Sequence, residues 1–290
     1  MKVTRISKNI AKFETDKKNT KLAILSDLHW DNPHCNRELL QAHLDYCLKE
    51  DIPVFINGDM FCLMQGKGDR RGNKSDVRPE HAFNNYFDSI IKTSVDWFTP
   101  YAHIIKLIGY GNHESSVLKH QESDIISRFV DLLNYKCNSN VLTGGYGGWI
   151  WFQYHNSNMF KSLKLKYYHG SGGGGAVTKG AINLTRALSM YEADIFTMGH
   201  IHENAARTDA KEVLYVKKGV CEIRHKYVHN MITGTYKDEY GTGFGNFHIE
   251  KGRPIKILGG RILTLDFGRD RVNKVRSLKC AIDSRQFPII

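Results

Sequence analysis

Residues 21–30 read KLAILSDLHW: a short apolar run that closes on an acid and, two positions later, an imidazole. The pattern returns at IPVFINGD (52–59), HIIKLIGYGNHE (103–114) and DIFTMGHIHE (194–203), each an apolar segment giving way to ligand-type side chains beside a glycine. Helical spacing follows the first of them, with Leu40, Leu44, Cys47 and Leu48 on one face of NRELLQAHLDYCLKE (36–50). A second helix, opened by Pro79, is expected through HAFNNYFDSIIKTSVDWF (81–98), and a third in ESDIISRFVDLLNY (122–135). Strands and helices in alternation predict an α/β fold.

The second half changes character. GGWIWFQYH (147–155) and SLKLKYYHG (162–170) read as neighbouring strands, TKGAINLTRALSMYEA (178–193) as a helix and DIFTMGH as a buried strand. Beyond it, EVLYVKKG, FGNFHIE and GRILTLDF read as antiparallel strands, followed by a basic tail from about residue 269. The polar, basic stretch QGKGDRRGNKSDVR (65–78) and the helix after it read as an insertion over about 63–99 in a single domain spanning 1–290. No internal repeat or linker interrupts the chain.

Composition sets outer bounds. With 290 residues, 41% of them hydrophobic and only 6 Pro, the chain can bury a substantial core. No apolar run approaches the ~20 residues of a membrane-spanning helix, and MKVTRISKNIAKFETDKK lacks a signal-type apolar stretch, so the expected setting is the cytoplasm, without a membrane. The six cysteines form no Cys-x-x-Cys pair, which argues against a zinc ribbon or disulfide scaffold and predicts reduced, mostly buried thiols. A net charge of +11 suits polyanions, DNA or RNA among them, although charge governs association rather than mechanism.

The ligand-type residues carry the chemistry. Asp27 and His29 follow the first strand, Asp59 the second, Asn112 and His113 the third, His169 a later one, and His200 and His202 the last of the core. Ligands of open α/β sheets gather beyond the carboxyl ends of strands, so these side chains are expected to converge. Carboxylates, imidazoles and an amide oxygen together suit divalent Mn, Fe or Zn, and they are too many for one tetrahedral ion. Two ions sharing a carboxylate would use them all. In Asp27-x-His29 and His200-x-His202, residues i and i+2 of an extended segment point to one side. Taken singly, an Asp-x-His is more often a turn or a cap, and a lone His is usually structural; five such elements in order are the signal.

The ordered set SDLHW, NGDMF, GNHE, YHG and GHIHE resembles the calcineurin-like metallophosphoesterases, over residues 27 to 202. That resemblance implies an α/β/β/α sandwich of two mixed sheets with flanking helices and a site at one edge. It implies one ion on Asp27, His29 and His202, another on Asn112, His169 and His200, and Asp59 bridging them. His113 would stand beside the substrate phosphate as acid or charge stabiliser. The implied cofactors are two divalent ions, Mn first, with Fe, Zn, Ni or Mg as alternatives, activating water for attack on phosphorus.

Two departures matter. Relatives continue the second motif as Gly-Asp-x-x-Asp, the last acid orienting the motif-three His, but here GDMFC puts Cys62 there. A thiol is a weak hydrogen-bond partner, which leaves Glu114 as the candidate to orient His113. The Arg-Gly of protein phosphatases is also missing, since the chain continues LMQGKG. The insertion resembles one in phage-encoded and bacterial members; its Arg70, Arg71, Lys74 and Arg78 are candidates for substrate phosphates, set against the ordinary reading of a solvated basic loop. HGSGGGGAVTKG is another candidate phosphate cradle, on glycine amides. Trp30, Trp149 and Trp151 are candidate base-stacking residues or buried strand residues.

The expected activity is therefore dinuclear, metal-dependent hydrolysis of phosphate esters. GDMF and GHIHE resemble repair-nuclease members, and with the basic balance they tilt the substrate toward a diester of nucleic acid or nucleotide. A phosphomonoesterase is the alternative within the class. A noncatalytic, metal-stabilised nucleic-acid scaffold is the alternative outside it, and it predicts eroded ligands, whereas all seven positions carry ligand-competent side chains.

Overall fold

The structure is a computed structural model that describes residues 1–64, 72, 76–156, 159–173, 175, 177–217, 219–241, 247–250, 252, 254–272 and 275–288. In chain order the first half supplies β1 (Lys2–Ser7), β2 (Ile10–Thr15), β3 (Asn19–Leu25), α1 (Arg37–Lys49), β4 (Val54–Ile56), α2 (Tyr86–Phe98), β5 (Ile105–Ile108), α3 (Asn112–Gln121), α4 (Ile125–Cys137) and β6 (Leu142–Thr143). The second half supplies β7 (Gly147–Asn156), β8 (Met159–Tyr168), α5 (Ala181–Met190), β9 (Ile195–Met198), β10 (Ala205–Lys217), β11 (Val220–Ile232), α6 (Phe247–Glu250), β12 (Arg261–Val272) and β13 (Val275–Gln286).

Side-chain alternation builds the layers. On β3, Leu22 and Ile24 face a core shared with Phe13, Phe152, Leu165 and Ile195, while Ala23 and Leu25 face one shared with Leu40, Leu44, Ile90 and Phe129. The first core lies between two sheets; the second lies beneath α1, α2 and α4. On β9, Ile195 points between the sheets and Phe196 and Met198 point outward, where Leu184 and Ala187 of α5 cover them. A strand buried on both faces reads as a continuous apolar run, which is why these strands were legible. Among the described residues the sheets run β13-β12-β3-β4-β5-β6 and β1-β2-β7-β8-β9-β11-β10, each mixing parallel and antiparallel pairs. Helices on both outer faces complete the expected α/β/β/α sandwich.

Several local readings change. Pro79 opens only a three-residue 3-10 turn, and the helix proper starts at Tyr86. FGNFHIE is not a strand: Phe247–Glu250 is helical, and residues 244–246 lie outside the described part. Four residues with two aromatics carry too little periodicity to separate strand from helix. The residues expected as a basic tail run as β13, paired along its length with β12; Cys280 and Ile282 turn to the inter-sheet core while Ala281, Asp283 and Arg285 are exposed. Of the six unpaired cysteines, Cys35, Cys47 and Cys62 are buried and Cys221 is exposed. Among the described residues, no helix is long and apolar enough to cross a membrane.

Candidate metal centre

The strand ends that carry the expected ligands turn sharply. Asp27, His29, Asp59, His200 and His202 have φ of 53°, 47°, 47°, 68° and 55°, the left-handed region. Each such residue costs about 1–3 kcal/mol and persists only where its surroundings over-determine it. Alternate side chains thus reach one space by tight turns, not by the extended backbone expected from the sequence. Two glycines make the turns possible. A Cβ on Gly111 would lie 1.9 Å from Asp59 Oδ1, and one on Gly199 would lie 2.1 Å from Ser26 Oγ and 2.5 Å from Asp27 Oδ2. The backbone passes directly against the carboxylates, so any side chain there would clash.

Backbone bonds tie the loops together. Asp27 N–H donates to Gly58 O at 3.1 Å, His29 N–H to Asp59 O at 3.1 Å, and Trp30 N–H to Met60 O at 2.9 Å. Within the seven-stranded sheet Gly199 N–H donates to His169 O at 2.8 Å, and across the sandwich His200 N–H donates to Asp27 Oδ2 at 2.9 Å.

Three donor groups result among the described residues; one joins His29, Cys62 and His113, and the other two gather the expected ligands. Asp27, His29 and His202 form the first of these two and Asp59, His169 and His200 the second, with the ligand atoms of each within 4.8 Å of one another. Asn112 joins the second cluster, its Oδ1 lying 2.8 Å from His200 Nδ1. His169 donates Nδ1–H to Asn57 O at 2.8 Å, which leaves Nε2 facing Asp59 Oδ2 at 3.2 Å. His202 Nε2 faces Asp27 Oδ1 at 3.4 Å, and its Nδ1 lies 3.5 Å from Glu239 Oε2. All seven expected ligands are brought together.

The electrostatics ask for positive charge at this spot. Burial pushes the Asp59 carboxyl up, yet His169, His113 and His29 outweigh it and hold it well below its ordinary value; Asp27 is lowered too, by His202 and His169 against burial. Burial disfavours charged imidazoles, but Asp59 lifts His169 to about 10, and Asp27 and Glu239 lift His202 to about 9. Burial and the neighbouring His113 drive His29 well down, so it stands neutral, as a ligand must. Among the described residues both ring nitrogens of His29 are buried without a hydrogen-bond partner, and Asp27 Oδ1 has none beyond the ion pair with His202 at 3.4 Å. Orphaned polar atoms of this kind cost about 1–3 kcal/mol each. A donor set of carboxylates, neutral imidazole and amide oxygen fits divalent cations and would satisfy them.

His113 stands at the edge of this set. Its Nδ1–H donates to Cys62 O at 2.5 Å, and Nε2 lies 3.9 Å from Asp59 Oδ2. The main-chain carbonyl of Cys62, not its thiol, holds the imidazole. Glu114 does not orient His113 directly. Its carboxylate accepts backbone N–H from Asp59 at 3.2 Å, Phe61 at 2.9 Å and Gly111 at 2.8 Å, and so fixes the loops that carry Asp59 and His113; its position three residues after Gly111 made it a helix-capping acid. Burial and Asp59 push it up to about 8.

The substrate-contact residues fare differently. Arg78 is committed to the loop after His29, donating to Asn32 O at 2.9 Å and Cys35 O at 3.1 Å, a structural task in place of the phosphate contact expected of it. Arg70, Arg71 and Lys74 lie outside the described residues. Trp30 is buried beneath the Arg37 guanidinium, 3.8 Å from the ring centroid, and so cannot stack a base; Trp151 is 37% exposed and Trp149 half-buried.

Residues without a ligand signature brace the site. Ser26 Oγ donates to Asp27 Oδ2 and lies 2.8 Å from Thr233 Oγ1; Thr235 Oγ1 donates to Asp27 O at 2.8 Å; Glu239 backs His202 and pairs with Lys237 at 2.8 Å. The run TGTYKDE (233–239) held hydroxyls and acids straight after a strand, but nothing that distinguishes a brace from an ordinary turn.

The calcineurin-like phosphoesterase family model matches residues 20–204, and the chain belongs to that family. It is accordingly a metal-dependent phosphoric ester hydrolase, of a family that typically uses two divalent metals. Among curated protein sequences none matches significantly. One solved structure, GAP50, the anchor in the inner membrane complex of Plasmodium, aligns at 10% identity and a TM-score of 0.42, over 94% of this chain and 90% of that one.

Proposed function

We propose that the protein hydrolyses phosphodiesters of nucleic acid or nucleotides, with two divalent ions, manganese foremost. Asp27, His29 and His202 would hold one ion, Asn112, His169 and His200 the other, with Asp59 available to both. When bound, such a pair neutralises phosphate charge and activates water for in-line attack. The chain's own part is placement. As an imidazolium whose Nδ1–H is fixed by the Cys62 carbonyl, His113 would present Nε2–H to the space beside Asp59, give that proton to the departing alkoxide and be left neutral. Residues 205–290, beyond the family match, work in the same unit through the braces on Asp27 and His202.

The observation that carries the diester reading is a lysine and aromatic face beside the centre. On β7 and β8, Trp149 pairs with Lys166 and Trp151 with Lys164. These side chains face away from the inter-sheet core, and the face leads to Tyr168 and Tyr146, whose ring centroid lies 5.5 Å from that of His169. Lys166 Nζ sits 5.3 Å from the Trp149 centroid and 4.8 Å from that of Tyr191. Lys164 is paired with Glu192 at 3.5 Å, which leaves Lys166 as the cation set among these aromatics, an arrangement that suits a phosphate and a base together. Lys237, a cation on the His29 side, is neutralised by Glu239 rather than offered to a monoester dianion.

Manganese-loaded protein should cleave bis-p-nitrophenyl phosphate faster than p-nitrophenyl phosphate, with Asp59→Asn as control. A monoester preference would replace this reading with a phosphatase. Hydrolysis of neither ester would favour a metal-stabilised scaffold.

A further inference from the structure

We propose that Asp31 is the positioning residue for His113, acting through the peptide that joins Cys62 to Leu63. The inference rests on the proposed role of His113, and it answers what replaces the missing acid at position 62. Asp31 is 1% exposed and lies two residues beyond His29. Its Oδ1 accepts Cys62 N–H at 2.5 Å; its Oδ2 accepts Leu63 N–H at 2.9 Å and the Tyr86 hydroxyl of α2 at 3.2 Å.

Leu63 N–H and the Cys62 carbonyl belong to one peptide unit. The Asp31 carboxylate therefore holds one end of an amide whose other end accepts Nδ1–H of His113 at 2.5 Å. Hydrogen bonds in series polarise one another, by about 10–30% per bond. An anion on the N–H side makes the carbonyl a stronger acceptor, so the amide relays part of the carboxylate's influence to the imidazole. The grip is also steric. Leu63 has φ of 54°, a strained state for a branched side chain, and the two N–H bonds to Asp31 hold the turn that aims the carbonyl. Asp31 thus does at one remove what a carboxylate at position 62 would do by direct contact. The Tyr86 hydroxyl also donates to Oδ2, which gives α2 a link to the centre.

The test is a double-mutant cycle on manganese-loaded protein, with metal content measured alongside. Asp31→Asn should lower kcat by up to about 10²-fold, the cost of misplacing a reacting group by about 1 Å, with KM little changed and the ions retained. The loss should be larger on a dinucleotide, with its poor alkoxide leaving group, than on bis-p-nitrophenyl phosphate. In a His113→Ala background the same substitution should cost nothing more. Losses that add in the two backgrounds, or loss of metal from Asp31→Asn, would overturn the proposal. If Asp31→Asn does not fold, Tyr86→Phe should give a smaller loss with the same disappearance in the His113→Ala background. The Nδ1–H proton resonance of His113 in metal-free protein reads the relay without turnover. It should move upfield in Asp31→Asn or Tyr86→Phe, and an unmoved resonance would contradict the relay even if the wild-type protein proved inactive on both esters, the result that would sink the functional reading itself.

Discussion

Residues 20–204 and residues 205–290 contribute to the same centre in different currencies. The first region carries every candidate donor from Asp27 to His202, five of them on left-handed turns at strand ends and Asn112 at the start of α3. The second carries none of them, yet its 233–239 run reaches Ser26, Asp27 and His202 through Thr233, Thr235 and Glu239. The contrast separates two demands on sequence. A metal donor must be one of a few residue types at a fixed place, whereas a brace needs only a hydroxyl or an acid at a suitable distance.

Substitutions in the first region should abolish chemistry, and those in the second should loosen it. Asp59→Asn removes the acid proposed to be shared, and turnover should fall to background with loss of bound metal, measured by elemental analysis. His113→Ala should lower kcat about 10²–10⁴-fold while both ions stay. Loss of metal from that variant would make His113 a ligand and redraw the first region. Across the boundary, Glu239→Gln weakens the support of His202 and should lower metal affinity about 10–100-fold by titration, with kcat at saturating metal largely kept. If it instead removed activity at any metal concentration, the division between donors and braces would fail. Thr235→Val deletes the hydroxyl that donates to Asp27 O and accepts Lys237 N–H at 2.9 Å, and should destabilise the fold by about 1–3 kcal/mol in urea unfolding.

The smallest effect probes the seam between the regions. His43 of α1 meets Tyr236 of the bracing segment, Nδ1 to the phenolic oxygen at 2.9 Å, and burial pulls the imidazole down to about 4 from its ordinary 6.5. The unfolded chain binds a proton there before the folded chain does. The contribution of His43 to stability is therefore complete above about 6.5 and is lost as pH falls through about 4. In chelator-treated protein the urea midpoint should fall between pH 7.5 and pH 5 relative to that of His43→Gln; parallel profiles for the two proteins would contradict this role of His43.

This division also explains what could be read in advance. β3, β4, β5 and β9 were legible because strands buried on both faces leave unbroken apolar runs, and the convergence of the seven candidate positions was legible because donor chemistry restricts residue type. The hairpin of β1 and β2 was not, since Val3, Ala11 and Phe13 are the only residues it adds to the inter-sheet core and its other side chains are exposed or half-buried. The outer part of β11, largely exposed on both faces, left no periodicity either. The support of His113 was hidden for another reason. It runs through the main-chain carbonyl of Cys62 and an acid 31 residues before that position (62 − 31), and neither shows as a motif.

Anomalous diffraction from crystals grown with manganese addresses the central claim most directly. Two peaks about 3.5–4 Å apart, one among Asp27, His29 and His202, the other among Asn112, His169 and His200, with Asp59 touching both, is the predicted result. A single peak, or none between these side chains at saturating metal, would contradict the account.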